Sequence, residues 1–279
     1  MPVHRRLRRK LTDILRYPRE AYSAADVPAL LALGLVRNRC PMPGLVLLLL
    51  AGGRRVLSPR IRGAFGQRIR VNLAEQSNID TFEELFFERI YRMEAVDFDP
   101  ALVLDCGAYC GYFSAMAAGR FPVSRIVCFE ANPANLGMLR EQLALLANRV
   151  ELVPEAVQTR TGTIRFSGAG VGGGVSDSAP EASSVEVKCI DLPGWVTAAA
   201  PSSLVLKMDV EGAELELLPA LVALLPRRTV LYLETHFPDA TCESLLAPYR
   251  AAGFEVQHVR SRLAEAGDFS YIEWLITRA

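Results

Sequence analysis

The sequence predicts an α/β fold: a largely parallel sheet covered by helices on both faces, behind a mainly helical N-terminal extension. Three observations carry this. From about Val96 onward, short β-rich runs alternate with helical ones, which requires crossover connections between parallel strands. Several of those runs end in or beside an acid (Asp105, Glu130, Asp209, Glu234), and two lead through a glycine-containing turn into a helix, the corner where open α/β sheets hold ligands. Before Val96 the rhythm is absent. The chain therefore divides into residues 1–95, an extension placed to cap the substrate side, and residues 96–279, the α/β domain.

In order, His4 to Tyr17 places Leu7, Leu11, Ile14 and Leu15 at helical spacing among Arg5, Arg6, Arg8, Arg9, Lys10 and Arg16, a basic amphipathic helix stopped by Pro18. Val27 to Val36 is a second, apolar helix. Pro41, Pro43, Gly44, Gly52 and Gly53 break the chain on either side of the apolar run Leu45–Ala51. Arg68 to Leu73 alternates like a strand, and Thr81 to Arg92 has the period of a helix. Strands are expected at Ala101–Asp105, Arg125–Glu130, Val150–Val153, Ser203–Val210, Thr229–Glu234, Phe254–Val259 and Tyr271–Thr277. Helices are expected at Tyr112–Ala118, Pro133–Leu146, Ala213–Leu224 and Cys242–Ala252. Between them Gly162–Ser167 and Ser184–Cys189 read as a hairpin around the Gly/Ser/Ala-rich stretch Gly168–Ala182.

Composition removes several classes. Of the 279 residues, 51% are apolar and 22% charged, which excludes a disordered chain. No run approaches the ~20 apolar residues of a membrane span, and the basic N-terminus lacks the apolar core of a secretory signal. A cytoplasmic protein is expected. The six cysteines form no CxxC pair, so free buried thiols are expected. The net charge of zero is a cancellation: residues 1–70 hold 15 Lys/Arg against 3 Asp/Glu, and residues 71–279 hold 16 against 28. A basic segment of this kind suits an anionic substrate or peripheral contact with a membrane surface.

Two motifs carry chemistry. In Val103-Leu104-Asp105-Cys106-Gly107-Ala108-Tyr109-Cys110-Gly111-Tyr112-Phe113 an apolar strand meets a glycine turn and a helix N-terminus, where backbone comes close to a ligand. A dinucleotide fingerprint fails here, because Tyr109 and Tyr112 occupy the positions of its second and third glycines. Gly168 to Gly173 matches that string but opens no helix. Glu130, closing the next strand, can accept hydrogen bonds from ribose hydroxyls. In Lys207-Met208-Asp209-Val210-Glu211-Gly212-Ala213-Glu214 a second strand ends in acids, and the strand after it ends in Glu234-Thr235-His236. Asp209, Glu211, Glu234 and His236 are thus expected beside the ligand crevice. There they can deprotonate a hydroxyl, or Asp209, Glu234 and His236 can hold a divalent ion such as Mg2+. The plainer readings are helix capping by Asp209 or Glu211, an in-sheet ion pair for Lys207 and a loop role for His236.

Asp105-x-Gly107-x-x-x-Gly111, Phe129-Glu130-x-Asn132-Pro133, Ala156-Val157 and Lys207-x-Asp209-Val210-Glu211-Gly212-Ala213-Glu214 resemble the FkbM-family S-adenosylmethionine-dependent methyltransferases over about residues 66–260. Phe87-Glu88-Arg89-Ile90-Tyr91 looks like the family too. Ala131, where the family usually has Pro, and Cys110, in place of an aliphatic residue, depart from it. The resemblance implies a class I methyltransferase, Rossmann-like, with seven strands, the last antiparallel. It implies a cofactor site drawn from Asp105, Gly107, Ala108, Tyr109, Gly111, Tyr112, Phe113, Glu130, Asn132, Glu155 and Ala156. Gly107 and Gly111 would pass the methionine part, Glu130 would hold the ribose, and Glu155 and Ala156 would border the adenine. It further implies O-methylation of a hydroxyl on a sugar, glycan or polyketide-like small molecule. Two other readings stand beside it: an RNA methyltransferase gripping phosphates through residues 1–70, disfavoured by few aromatics there, and a binding module without turnover.

Overall fold

The computed structural model describes residues 12–38, 55–147, 149–167, 174–175, 184–263 and 269–278. Residues 4–11 of the expected basic helix, the run Leu45–Ala51, Cys40 and most of Gly168–Ala182 lie outside them.

A helical segment at residues 12–16 runs into a turn at Tyr17–Glu20, and α1 follows at Val27–Arg37. The expected strand at Arg68–Leu73 shrinks to β2 (Val71–Asn72), paired antiparallel with β1 (Val56–Leu57). The helix expected at Thr81–Arg92 starts earlier and ends sooner. It is α2, Gln76–Glu83, continued by a π-helical turn at Glu84–Glu88 and halted by Arg89 in a left-handed conformation. Packing overrides the helical period here: the wider turn lays Phe82, Phe86 and Phe87 against Tyr17 and Tyr112.

The main sheet takes in β3 (Leu102–Cys106), β4 (Arg125–Phe129) and β5 (Val150–Val153), linked by α3 (Tyr112–Arg120) and α4 (Pro133–Leu143). A small sheet of β6 (Ala156–Gln158), β7 (Gly162–Ser167), β8 (Gly174–Val175) and β9 (Ser184–Asp191) follows. The chain returns through α5 (Leu192–Ala199), β10 (Ser203–Met208), α6 (Glu214–Leu221), β11 (Arg228–Thr235), α7 (Asp239–Ala251), β12 (Glu255–Leu263) and β13 (Phe269–Arg278). The main sheet has the order β12-β13-β11-β10-β3-β4-β5, with β13 antiparallel to both neighbours and the other pairings parallel, as the resemblance implies. The expected hairpin is present as β7·β9, from Gly162↔Cys189 to Ser167↔Ser184. The sequence reading missed β6, whose three residues leave no pattern, and α5, whose Pro193 and Gly194 look like a turn. The Asp191 carboxylate caps α5 by accepting from Gly194 N at 3.0 Å.

Alternation along the parallel strands feeds two cores. Val103 and Val205 point to one face, and Leu102, Leu104, Leu204 and Leu206 to the other. The first core also holds Tyr17, Leu30, Leu33, Phe82, Phe86 and Tyr91, so these N-terminal residues pack into the same cluster as α3 and the sheet. Among the described residues Cys106, Cys110, Cys128 and Cys189 are buried free thiols, and Cys242 is buried. Among the described residues, no helix is long and apolar enough to cross a membrane.

Part of the N-terminal positive charge is spent internally. Glu83, 7% exposed, accepts from the Tyr17 hydroxyl, from Arg16 Nη2 at 2.8 Å and from Arg37 Nε at 2.6 Å. Burial alone would raise its carboxyl, but these donors hold it below the ordinary carboxylate range. A group so depressed contributes stability that is present above its unfolded value and lost as pH falls through the folded one. Glu83→Gln should therefore destabilise the protein by about 2 kcal/mol near neutral pH, less than a fully buried pair because both arginines are partly exposed. Wild type and variant should converge as the medium is acidified below the carboxylate range. Parallel unfolding curves from pH 7 to pH 3, with a constant gap, would contradict this.

Candidate active site

The strand order reverses at β3: the chain runs from β3 to β4 and β5, then crosses to β10 on the other side. The crevice outside the carboxyl ends at such a point is where α/β sheets bind ligands. Register places Asp105 opposite Lys207, and Lys207 opposite Tyr232. Backbone bonds lace the strand ends: Gly107 N and Ala108 N donate to Phe129 O at 3.0 and 2.9 Å, and Asp209 N donates to Cys106 O at 3.2 Å.

Gly107 has a φ of +80°, and a Cβ there would overlap the carbonyl oxygen of Asp209. Gly111 has a φ of +78°, and a Cβ there would lie 2.7 Å from Leu139 Cδ1. Gly107 is thus required by the chain's own backbone packing, whereas at Gly111 the positive φ is the main demand and the Leu139 side chain is the neighbour that would have to move. Tyr109 and Glu211 are also left-handed, at φ 47° and 54°. Such backbone costs of order 1 kcal/mol each and concentrates at functional loops.

The Asp105 side chain is fully buried. Its Oδ2 accepts from Ser114 N and Oγ, while Oδ1 has no hydrogen-bond partner among the described residues and lies 3.9 Å from Lys207 Nζ. Burial raises the Asp105 carboxyl, with Lys207 opposing. Lys207 donates to Gly107 O and, at 3.3 Å, to Asp209 Oδ2. Burial would lower the ammonium, but Asp209, Asp105 and Glu234 together raise it, so it is the fixed counter-ion of the crevice. The in-sheet pairing weighed for Lys207 is what is found.

Glu130 sits at the end of β4 with its carboxylate already engaged. Oε2 accepts from Tyr109 N at 2.7 Å, and Oε1 accepts from Asn132 N at 2.8 Å and Asn135 Nδ2 at 3.3 Å. Asn132 caps α4 through Ala134 N at 3.0 Å. Tyr112, by contrast, turns away from the turn and donates to Arg70 O and Asn78 Oδ1, so it ties α3 to the N-terminal part. Ala156 packs on the small sheet beside Ile164, Val187 and Cys189; Gly111, Glu130, Asn132, Glu155 and Ala156 all lie outside the lining of the crevice described next.

The second motif closes the other side. Glu214, fully buried, accepts from Val210 N and Gly212 N, both at 2.8 Å, and fixes the loop after β10. This is the role of the last acid in the Asp-Val-Glu-Gly-Ala-Glu string. On that loop and on the end of β11, His236 Nε2 stands 3.4 Å from Glu211 Oε2, 3.6 Å from Glu234 Oε1 and 3.8 Å from Asp209 Oδ1. All four residues predicted to converge do so. Burial favours the neutral form of Asp209, but Lys207 and His236 hold its carboxyl below the ordinary range. Glu211 is pushed up to about 7 by burial and by Asp209, and Glu234 is raised well above normal by burial and Asp209. One ligand atom each from Asp209, Glu234 and His236 lie within 4.8 Å of one another, a set able to hold a metal ion.

Both motifs open on one cleft of about 540 Å3, counted with its open mouth. Asp105, Gly107–Cys110, Tyr112, Phe113, Lys207, Asp209 and Glu234 line it from the sheet edge. Thr81, Glu84, Leu85, Ile90 and Tyr91 form the opposite wall. Sequence reading missed Thr81, Glu84 and Leu85, because an amphipathic helix announces which face is buried but not against what. Tyr91 meets Phe113 and Tyr232 edge to face, with ring centroids 5.1 and 5.4 Å apart. Arg260 fixes this wall to the sheet: it chelates Glu273 at 2.8 and 2.9 Å and pairs with Glu88.

With this geometry in hand, comparison with known proteins is decisive for the family. The sequence model of the "Methyltransferase FkbM domain" matches residues 105–270. The chain belongs to the FkbM methyltransferase family. No curated protein matches the chain. Similar solved structures include methyltransferase FkbM from Methylobacillus flagellatus KT, at 17% identity and a TM-score of 0.45 over 93% of this chain and 62% of that one. This chain therefore spans less than two thirds of that FkbM methyltransferase. Precorrin-6y C5,15-methyltransferase from Geobacter metallireducens GS-15 aligns at 19% identity and TM-score 0.39 over 67% and 84% of the two chains. M. jannaschii TYW2 in complex with AdoMet aligns at 16% and 0.40 over 77% and 84%. The family match and the seven-stranded order with β13 antiparallel together give the fold of class I, S-adenosylmethionine-dependent methyltransferases.

Proposed function

We propose that this FkbM-family chain is an O-methyltransferase. Its acceptor is a hydroxyl on a neutral sugar, glycan or polyketide-like small molecule. The observation that carries the reading is the single cleft shared by the turn Gly107–Cys110 and by Asp209 and Glu234. A cationic cofactor fits these acceptors: among the described residues Asp105 keeps a buried Oδ1 with no hydrogen-bond partner in the cleft, and Oε2 of Glu130 accepts from Tyr109 N. Asp105, the turn Gly107–Gly111, Glu130 and Asn132 would hold S-adenosylmethionine, which supplies a methyl group on a sulfonium sulfur. The acceptor hydroxyl's proton goes to the cluster of Asp209, Glu211, Glu234 and His236. The protein's tasks are to place the hydroxyl in line and to receive that proton.

The wall built from Thr81, Glu84, Leu85, Ile90 and Tyr91 supports a substrate-side role for residues 1–95. Acids at Glu84, Asp209 and Glu234 disfavour a polyanion in the cleft, so RNA is the weaker alternative. The exposed arginines Arg19, Arg55, Arg60, Arg62 and Arg68 support peripheral contact with an anionic surface outside it.

Methyl transfer from labelled S-adenosylmethionine to a panel of hydroxylated sugars and polyketides tests the reading. Asp209→Asn, Glu211→Gln, Glu234→Gln and His236→Gln should each retain cofactor binding. The proton acceptor among them should lose about 10²- to 10⁴-fold in kcat. Full turnover in all four would overturn the assignment, and methyl incorporation into RNA alone would favour the other substrate.

A further inference from the structure

We infer that the cluster at the ends of β10 and β11 is a binding site for one small, oxygen-preferring divalent cation, Mn2+ or Mg2+, held by Asp209, Glu234 and His236. This deepens the O-methyltransferase reading, on which the cation's chemical role rests.

The spacing is the first argument. Asp209 Oδ1 and Glu234 Oε1 stand 3.8 and 3.6 Å from His236 Nε2, beyond hydrogen-bond length. All three ligand atoms lie within 4.8 Å of one another. Neighbouring ligands about 2.1 Å from an octahedral centre are about 3.0 Å apart, so binding would draw these donors inward by less than about 1 Å.

The second argument is independent of the cluster's composition. Asp209 Oδ1 is shielded from solvent and accepts no hydrogen bond among the described residues, and neither does Oδ1 of the fully buried Asp105 lining the same cleft. Orphaned carboxylate oxygens at a ligand cleft are costly unless a cation or donor joins them.

Charge is the third. Asp105, Asp209 and Glu234 line the cleft, Glu211 stands beside His236, and Glu234 lies directly across the β11·β13 ladder from Glu273. Facing like charges in a ladder repel. Arg260 chelates Glu273, and Lys207 already serves Asp209 and Gly107. A divalent ion at the three donors would offset what remains. Two carboxylates and one imidazole form a hard, oxygen-weighted set that suits Mn2+ and Mg2+ better than a thiolate-seeking metal. Coordination would also bring an acceptor hydroxyl to the cleft beside the cofactor turn and lower its pKa there, as bound cations do.

The test is Mn2+ titration of the purified, metal-stripped protein, followed by electron paramagnetic resonance of free Mn2+, with Mg2+ as competitor. One Mn2+ per chain is expected, displaced by Mg2+. Glu234→Gln and His236→Gln should each weaken binding at least tenfold, with circular dichroism unchanged, and Glu88→Gln should leave it intact. No saturable Mn2+ binding, or binding indifferent to both Glu234→Gln and His236→Gln, would overturn the inference. S-adenosylmethionine binding is measured separately by calorimetry. Its loss with Mn2+ binding intact would count against the methyltransferase site alone, and its presence without Mn2+ binding against the metal site alone.

Discussion

Gly107→Ala is expected to destabilise the protein by about 3 kcal/mol or more, lowering Tm by about 6–12 °C for a chain of this size. Two effects combine. The residue has a φ of +80°, where a Cβ costs about 1 kcal/mol, and the added methyl would occupy the position of the Asp209 carbonyl oxygen. That carbonyl belongs to the laced edge of β3 and β10, where Asp209 N bonds Cys106 O, so it cannot withdraw alone. Gly253→Ala separates the two terms. Gly253 has nearly the same φ, +84°, but nothing within 4 Å of its added Cβ, so only the conformational cost of about 1 kcal/mol remains. Differential scanning calorimetry of both variants is the measurement. Equal losses would mean that the β3 turn yields, and the packing account of Gly107 would fall.

The second large effect is at Glu130. Glu130→Ala should weaken S-adenosylmethionine binding by about 100-fold and Glu130→Gln by about 10-fold, from lost charge-assisted hydrogen bonds of about 1.5–3 kcal/mol. The alanine carries a further penalty in stability. Tyr109 N, Asn132 N and Asn135 Nδ2 all donate to this carboxylate, and its removal orphans three donors at once. The glutamine keeps one acceptor oxygen, so its Tm should fall less. Calorimetric titration with S-adenosylmethionine, beside thermal unfolding, checks both. Cofactor affinity unchanged in both variants would confine Glu130 to holding the turn.

How far the site was legible follows from what each residue depends on. Asp105, Gly107, Glu130, Asp209, Glu211, Glu234 and His236 were readable because strand-to-helix corners leave a local signature: an apolar run, an acid, a glycine, a helix. Parallel strands then bring every such corner to one edge, so residues far apart in the chain share a crevice without further information. Thr81, Glu84 and Leu85 leave no signature, because their cleft role depends on which surface α2 and its π-turn face. Glu155 and Ala156 were placed by resemblance alone, and Ala156 packs against the small sheet. Tyr112, read as a cofactor neighbour, also spends its hydroxyl on Arg70 and Asn78.

The opening charge imbalance divides in the same way. Sequence alone determined that acids gather at strand ends and that the first 70 residues are basic, since charge and period are properties of the string. Only the tertiary structure decided which charges remain available. Arg16 and Arg37 are consumed by Glu83, Arg260 by Glu273 and Glu88, and Lys207 by the turn beneath the cleft and by Asp209, while Asp209, Glu234 and His236 are gathered within 4.8 Å of one another. The reason is distance: Coulomb attraction and hydrogen bonding act over a few ångströms, and only folding brings residues 67 or 172 positions apart to within that range.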